Sequence, residues 1–299
     1  MQGQTRASTL RALLQRPGGI VVPGAYDPLC ARLALSAGFE ALYVSGSATS
    51  ATRAALPDIG LITQTEVASL VHAIHEAVPL PLIVDADTGF GGVLNAMRTV
   101  RELEMAGAAA IHIEDQVAQK RCGHLDGKRL VDSDEMEGKI RAAVASRRDP
   151  NFVVIARTDA REVEGMERAL QRARRYVAAG ADVVFPEALH DEQEFRTFAK
   201  ALDVPLLANM TEFGKTPYYR ADQFFDWGYK IVLFPASALR VSLQAVYAFL
   251  TDLRKTGTQE PWAGRMMTRK ELYQHIDYTR YEELERAFWP PQENNSKGT

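Results

Sequence analysis

Eight short apolar runs recur along the chain: Ile20 to Val22, Ala41 to Val44, Leu82 to Val84, Ala110 to Ile113, Val153 to Ala156, Val183 to Phe185, Leu206 to Ala208 and Ile231 to Phe234. They are continuous rather than alternating, as strands are when helices cover both faces of a parallel sheet. Between them the apolar spacing is helical. Met166, Ala169, Leu170, Ala173 and Val177 make one stripe, and Val67, Leu70, Val71, Ile74 and Val78 make another. The second stripe has its own start signal, because Thr63 and Glu66 stand ahead of it at capping-box spacing. Strand and helix alternating eight times predict an α/β protein, a closed (β/α)8 barrel of the TIM type. A count of seven or nine repeats is the alternative. The whole chain, 1–299, reads as a single barrel domain, with a helix before the first strand and a helical extension over 258–290.

Polar residues follow the apolar runs repeatedly: Ser45-Gly46-Ser47, Asp85-Ala86-Asp87, Glu114-Asp115, Arg157-Thr158-Asp159, Glu187, Asn209-Met210-Thr211, and Ser237 with Arg240. One such Ser or Asn says little, since loops are polar. Seven groups, several of them charged, would converge on the carboxyl-terminal mouth of a barrel, where active sites of this fold lie. Composition narrows the ligand. The 299 residues are 46% hydrophobic and 24% charged, enough for a large core in one barrel or two smaller domains. A formal charge of −3 gives no global reason to bind nucleic acid or an anionic membrane. No apolar stretch nears the roughly 20 residues of a membrane span, and the first residues lack a signal-peptide core, so a cytoplasmic location is expected. Two cysteines, Cys30 and Cys122, are too few for a disulfide scaffold. Nucleotide chemistry and serine hydrolysis fall behind, for want of a phosphate-binding glycine loop or a nucleophile elbow.

Three constellations carry chemistry. Lys120-Arg121-Cys122-Gly123-His124 sets a thiol among cationic and titratable neighbours, which lower a cysteine pKa from its reference near ~8.5 and make it reactive. The plainer alternative is an exposed basic loop with an incidental cysteine. Asp85 and Asp87, two apart, face the same way if the strand persists, and their mutual repulsion calls for a cation. Magnesium suits such a pair, with Glu114 in its outer shell. Turn-capping aspartates are the alternative. The histidines are too scattered for a zinc or iron triad. Arg157, Arg240 and Arg269, with Ser45, Ser47, Asn209 and Thr211, suit the recognition of several carboxylates, which points to a small polycarboxylic acid.

Lys120 to His124, with Asp85-Ala86-Asp87 and Ile113-Glu114-Asp115-Gln116, resembles the isocitrate lyase and phosphoenolpyruvate mutase superfamily over nearly the whole chain. Phe185-Pro186-Glu187-Ala188, Asn209-Met210-Thr211-Glu212-Phe213-Gly214 and Thr268-Arg269-Lys270-Glu271-Leu272-Tyr273 are most similar to its 2-methylisocitrate lyases. One departure is Ser47, where many of those have Gly. The resemblance implies Mg2+, a homotetramer and an eighth barrel helix exchanged between subunits. Phe185, Leu233 and Pro235 fall where that family makes room for a substrate methyl group. The implied reaction, a step of propionate catabolism, cleaves 2-methylisocitrate to pyruvate and succinate. Asp85 and Asp87 would hold the metal, Asp58 would join Glu114 in its outer shell, and Arg157 would neutralise carboxylate charge. Tyr43 would take the hydroxyl proton, and Cys122, with His124 beside it, would protonate the leaving carbon. Ser45, Gly46, Ser47, Gly123, Glu187, Asn209, Thr211, Arg240 and Arg269 would bind substrate. Two alternatives stay open: another superfamily activity on a dicarboxylate or phosphonate (dimethylmalate lyase, oxaloacetate hydrolase, phosphonomutase), and a redox or binding protein that uses Cys122 without turnover.

Overall fold

Every one of the eight apolar runs is a strand in the computed structural model, which describes residues 5–289. The strands are β1 (Ile20–Pro23), β2 (Leu42–Val44), β3 (Leu82–Asp85), β4 (Ala110–Glu114), β5 (Val153–Thr158), β6 (Val183–Pro186), β7 (Leu207–Asn209) and β8 (Ile231–Phe234). Parallel ladders join β2 through β6 in order, and β1 to β8 to β7. Parallel bridges from Gly24 to Tyr43 and from Val184 to Leu206 link the two sheets, so the ring closes. Glycine is required at the first seam, because a Cβ on Gly24 would lie 1.9 Å from the Pro235 carbonyl oxygen.

Alternation along each strand sorts side chains between two environments. Tyr43, Ile83, Ala110, Val153, Ile155, Val183, Phe185, Leu207, Ile231 and Leu233 fill the barrel interior, with Leu10, Leu13 and Leu14 of α1 (Arg6–Gln15) packed in the same cluster. Their neighbours along β2 to β5, among them Val44, Val84, Ile111, Ile113 and Val154, pack outward beneath the helices. Those helices are α2 (Pro28–Ser36), α3 (Gly46–Ala54), α4 (Gln64–Ala77), α5 (Val93–Met105), α6 (Ser133–Ser146), α7 (Ala160–Glu164), α8 (Met166–Ala178), α9 (Glu192–Ala201), α10 (Ala221–Asp226) and α11 (Ser237–Thr256). The capping box of α4 forms as the sequence predicts: Thr63 Oγ1 accepts from Glu66 N–H at 3.3 Å, and Glu66 Oε2 accepts from Thr63 N–H at 2.8 Å. The buried face of α8 is broader than its apolar stripe, since Arg172 and Tyr176 are buried with Ala169 and Ala173. Arg172 can be buried because Glu164 takes its guanidinium in two 2.7 Å hydrogen bonds.

The chain parts into two compact units between Leu243 and Gln244, inside α11. The second unit holds the rest of α11, a 3-10 turn (Glu260–Arg265), α12 (Arg269–His275) and α13 (Tyr278–Phe288). Among the described residues no helix is long and apolar enough to cross a membrane.

Candidate active site

The carboxyl ends of β2, β3 and β4 build an acidic cluster. Strand β3 stops at Asp85, and Asp87 takes a left-handed conformation with φ 46°, so the expectation of two carboxylates facing one way along a strand fails. A tight turn brings them together instead, with Asp87 N–H donating to Asp85 Oδ1 at 3.0 Å. Lys120 Nζ lies 2.5 Å from both Asp87 Oδ1 and Asp58 Oδ1. Gly46, the first residue of α3, donates its N–H to Asp85 Oδ2 at 3.1 Å, and a Cβ there would stand 2.8 Å from that oxygen. Burial raises the Asp85 pKa, but His112, Lys120 and Arg157 more than offset it and hold the carboxyl below its usual range. Asp87 is pushed up to about 6, by burial first and then by Asp85, with Lys120 opposing.

Glu114 is fully buried, neither of its carboxylate oxygens has a hydrogen-bond partner, and burial holds its pKa well above the usual value. Arg157 Nε approaches it at 3.4 Å. Asp85, Asp87, Asp58 and Glu114 are thus balanced locally by Lys120 and by an arginine that other acids share. Among the described residues no three His, Cys, Asp or Glu side chains are grouped to enclose a metal. A hydrated dication taking one or two carboxylates fits this donor set, because its waters could serve the unpartnered Glu114 oxygens.

Tyr43 requires a correction. Its hydroxyl lies 2.8 Å from His112 Nε2 and 3.4 Å from Asp85 Oδ2, and its ring stacks on His112 with centroids 5.8 Å apart. Burial and then Asp85 push the phenol well above its usual pKa, which opposes the role of base expected of it and favours a hydrogen-bond donor. Burial pushes His112 down to about 4, which leaves a neutral imidazole in the barrel interior.

Across the mouth, the Cys122 loop is docked on a different network. The expectation of a lowered thiol pKa is overturned. Lys120 is turned inward and spent on Asp58 and Asp87, while burial, and then Asp58, push the Cys122 thiol up. Burial thus favours the thiol over the thiolate, the form suited to giving a proton away. The Gln116 side chain holds the Arg121 backbone, accepting from its N–H at 3.0 Å and donating to its carbonyl at 2.8 Å. Gly123 is packed so closely that a Cβ would fall 2.3 Å from an Arg157 nitrogen and 2.5 Å from Glu187 Cγ. His124 Nδ1 accepts from Lys215 N–H at 3.1 Å, which assigns the proton to Nε2, 3.1 Å from Glu187 Oε1. Asn209 donates to Glu187 Oε2 at 3.1 Å. Arg157 is gripped by Asp159 at 2.9 and 3.2 Å, stands 3.3 Å from Glu187 and lies over the Phe185 ring at 5.1 Å. Burial opposes ionisation of Glu187, but Arg157 and His124 outweigh it and hold its pKa below the usual range.

The structure brings most of the predicted residues to one mouth, on two sides linked by Arg157 and Phe185. Ser45 is buried as the cap of α3, 3.4 Å from Ala48 N–H, and Ser47 and Thr211 are half-buried. Arg240 is engaged by Glu212 at 3.4 Å and lies over the exposed Phe213 ring. Arg269 opens α12 in the second unit and is exposed. Sequence reading assigned no role to His112, Lys128 or, beyond its place at a strand end, Asp159. A signal for the first was present, since Ala110, His112 and Glu114 share one phase of β4, and a histidine in phase with a buried glutamate marks the polar side of a strand.

The phosphoenolpyruvate phosphomutase family profile matches residues 10–254. The chain belongs to this family. Within the phosphomutase family, 2-methylisocitrate lyase of Aeropyrum pernix is 54% identical over 91% of this chain and 88% of its own length. The crystal structure of 2,3-dimethylmalate lyase, of the phosphoenolpyruvate mutase/isocitrate lyase superfamily, superposes with a TM-score of 0.90 at 37% identity and covers 99% of both chains. Phosphonopyruvate hydrolase, solved in complex with oxalate and Mg2+, gives a TM-score of 0.86 at 31% identity, over 96% of this chain and 100% of its own. One family scaffold therefore serves both lyases and a hydrolase.

Proposed function

We propose that this phosphomutase-family chain is a magnesium-dependent lyase that cleaves 2-methylisocitrate to pyruvate and succinate. The observation that carries the reading is the Cys122 loop, packed at Gly123 against the Arg157–Glu187 pair and across from a cluster of carboxylates. The Aeropyrum pernix relative of that name supports the substrate. Arg157, kept straight by Asp159, receives a substrate carboxylate through its planar fork. Water takes the substrate hydroxyl proton as that oxygen becomes the keto group, and Tyr43 donates a hydrogen bond to the same oxygen. The leaving carbon takes the Sγ proton of Cys122 as the carbon–carbon bond breaks, leaving a thiolate that water reprotonates. His124, Glu187 and Asn209 hold one another and orient the succinate end. Phe185 and Leu233, both buried, with Pro235, face the substrate methyl group. Magnesium, held by Asp85 and Asp87 with Asp58 and Glu114 in its outer shell, would supply positive charge beside the hydroxy-acid oxygens.

The same reading places the enzyme in the cytoplasm as a homotetramer with α11 exchanged between subunits. Val241, Tyr247 and Leu250 of α11, at 72, 71 and 53% exposure, offer an apolar face for burial by a neighbour. The 2,3-dimethylmalate lyase likeness, with Ser47 in place of Gly, favours a second reading, cleavage of 2,3-dimethylmalate. One assay decides: 2-methylisocitrate, isocitrate, 2,3-dimethylmalate, oxaloacetate and phosphonopyruvate, each with and without magnesium. The expected result is pyruvate and succinate from the first, with kcat/KM ~100-fold or more above the others, a margin within reach of pocket discrimination. A preference for any other substrate replaces the proposal.

A further inference from the structure

Lys128 belongs to the same loop as Cys122, yet its side chain is only 1% exposed. A buried ammonium is costly unless its protons are taken up. Two acceptors are in place. Lys128 Nζ donates to the Gly123 carbonyl oxygen, and it lies 3.2 Å from Asp159 Oδ1. That same Oδ1 is 3.2 Å from an Arg157 nitrogen, while Asp159 Oδ2 holds Arg157 Nε at 2.9 Å. Asp159 is itself anchored, since its N–H donates to Asp115 Oδ1 at 2.9 Å and Asp115 Oδ2 accepts from Thr158 and Tyr176 hydroxyls at 2.8 Å each. A continuous line of buried polar contacts thus runs from α8 to the residue between Cys122 and His124.

We infer that Lys128 is the positioning residue that fastens the Cys122 loop over the site, and that Asp159, shared by Lys128 and Arg157, ties the fastening to the group that receives the substrate carboxylate. The loop has another charged tether, Lys215 to Asp126 at 2.7 Å, but Asp126 is 91% exposed there and such surface pairs contribute little. Gln116 restrains Arg121, at the near end of the loop. Among the described residues, Lys128 is the side chain that hydrogen-bonds to the peptide separating the thiol from the imidazole. Without its ammonium the Gly123 carbonyl loses its donor and Asp159 keeps Arg157 alone, so the guanidinium stays formed while the thiol drifts from the reacting carbon. This assignment rests on Cys122 as proton donor for its kinetic effect, but not for its effect on the loop.

The test uses Lys128→Met and Lys128→Arg in the full chain, with Asp126→Ala as the surface control. Cys122 alkylation by iodoacetamide, mapped by peptide mass, and amide exchange over 121–127 report the loop without reference to catalysis. Lys128→Met is expected to speed both by about tenfold or more, the scale of losing one buried charged hydrogen bond. Its kcat is expected to fall ~100-fold with KM changed little, as for a misplaced catalytic group, while circular dichroism stays unchanged. Lys128→Arg and Asp126→Ala are expected to label and exchange as wild type does. Where Lys128→Met does not fold, Lys128→Gln, which keeps a donor but no charge, takes its place with the same expectation. Labelling and exchange unchanged in the neutral variant overturn the inference. Faster labelling with full kcat overturns the link to turnover, and Cys122→Ser measured alongside shows whether the proton-donor reading fell with it.

Discussion

The two sides of the mouth solve opposite problems. On the Asp85 side carboxylates outnumber nearby cations, Asp87 is pushed up toward neutrality, and Glu114 has two buried oxygens with no hydrogen-bond partner. On the Cys122 side nearly every charge is answered: Arg157 by Asp159 and Glu187, His124 by Glu187 and Lys215, Lys128 by Asp159 and Gly123. The first side is incomplete by itself and suits a cation that arrives from outside. The second is preorganised, and burial favours its protonated thiol. Substitutions on the acidic side should therefore change the metal requirement, and those on the loop side should change turnover at saturating metal.

Cys122→Ser gives the largest expected effect: a fall of ~1,000-fold or more in kcat with KM and magnesium dependence nearly unchanged, since a hydroxyl is a far weaker acid than a thiol. Steady-state kinetics at saturating magnesium check it, and wild-type turnover would remove Cys122 from the chemistry. Asp85→Ala and Asp87→Ala are each expected to lower kcat by about 100-fold and to raise the magnesium needed for half-activity by tenfold or more, as when a ligand that fixes a catalytic metal is lost. Activity that survives thorough chelation in the parent enzyme would break the comparison outright. Glu187→Gln removes the charge that Arg157 and His124 both face, and a loss of roughly 10- to 100-fold in kcat/KM with no change in metal dependence is expected. A shifted magnesium requirement in that variant would show that the two sides are not separable.

The pH dependence of stability sharpens the contrast. Asp87, raised to about 6 in the folded protein, favours folding while it is protonated, so its contribution is present below about pH 4 and is lost as pH rises through about 6. His112, pushed down to about 4, acts in the opposite sense, and its contribution is lost as pH falls from about 6.5 toward 4. Subtracting Asp87→Asn from the parent isolates the first effect. In urea unfolding with chelator present, the parent's advantage over Asp87→Asn should shrink by on the order of 2 kcal/mol between pH 4 and 6.5. A difference that stays flat would mean that Asp87 is already ionised. The smallest effect lies outside both regions. Thr63→Ala should cost about 1 kcal/mol of stability through the α4 cap and leave kinetics and metal response untouched.

The barrel was legible because its signals are local and repeated. Continuous apolar runs mark strands wherever helices cover a parallel sheet, and Thr63 with Glu66 forms its cap within one turn. The site was legible only as far as residue type and strand end go. The thiol pKa was misread because sequence neighbours are not spatial neighbours: Lys120 points to Asp58 and Asp87, away from the sulfur it adjoins in the chain. Asp87 lies beside Asp85 through a turn that the sequence did not show, since its left-handed backbone has no signature in Asp85-Ala86-Asp87. A strand-end phenol such as Tyr43 looks available as a base until its burial beside Asp85, which raises its pKa, is seen. Asp159 and Lys128 were given no role because their meaning lies in contacts with Arg157 and Gly123, 2 and 5 residues away along the chain but meaningful only once the loop has folded back.

The opening turn of α3 divides freedom unequally between adjacent positions. At Gly46 the peptide N–H is committed to Asp85 and the space for a side chain is taken by the same carboxylate, whereas Ser47 is half-buried and makes no such commitment. A change at 47 can alter what the mouth accepts without touching Asp85, while a mutation at 46 disturbs an acid that the rest of the mouth is built around. A saturation library at the two codons, screened for folded protein, should return many residues at the second position and glycine at the first.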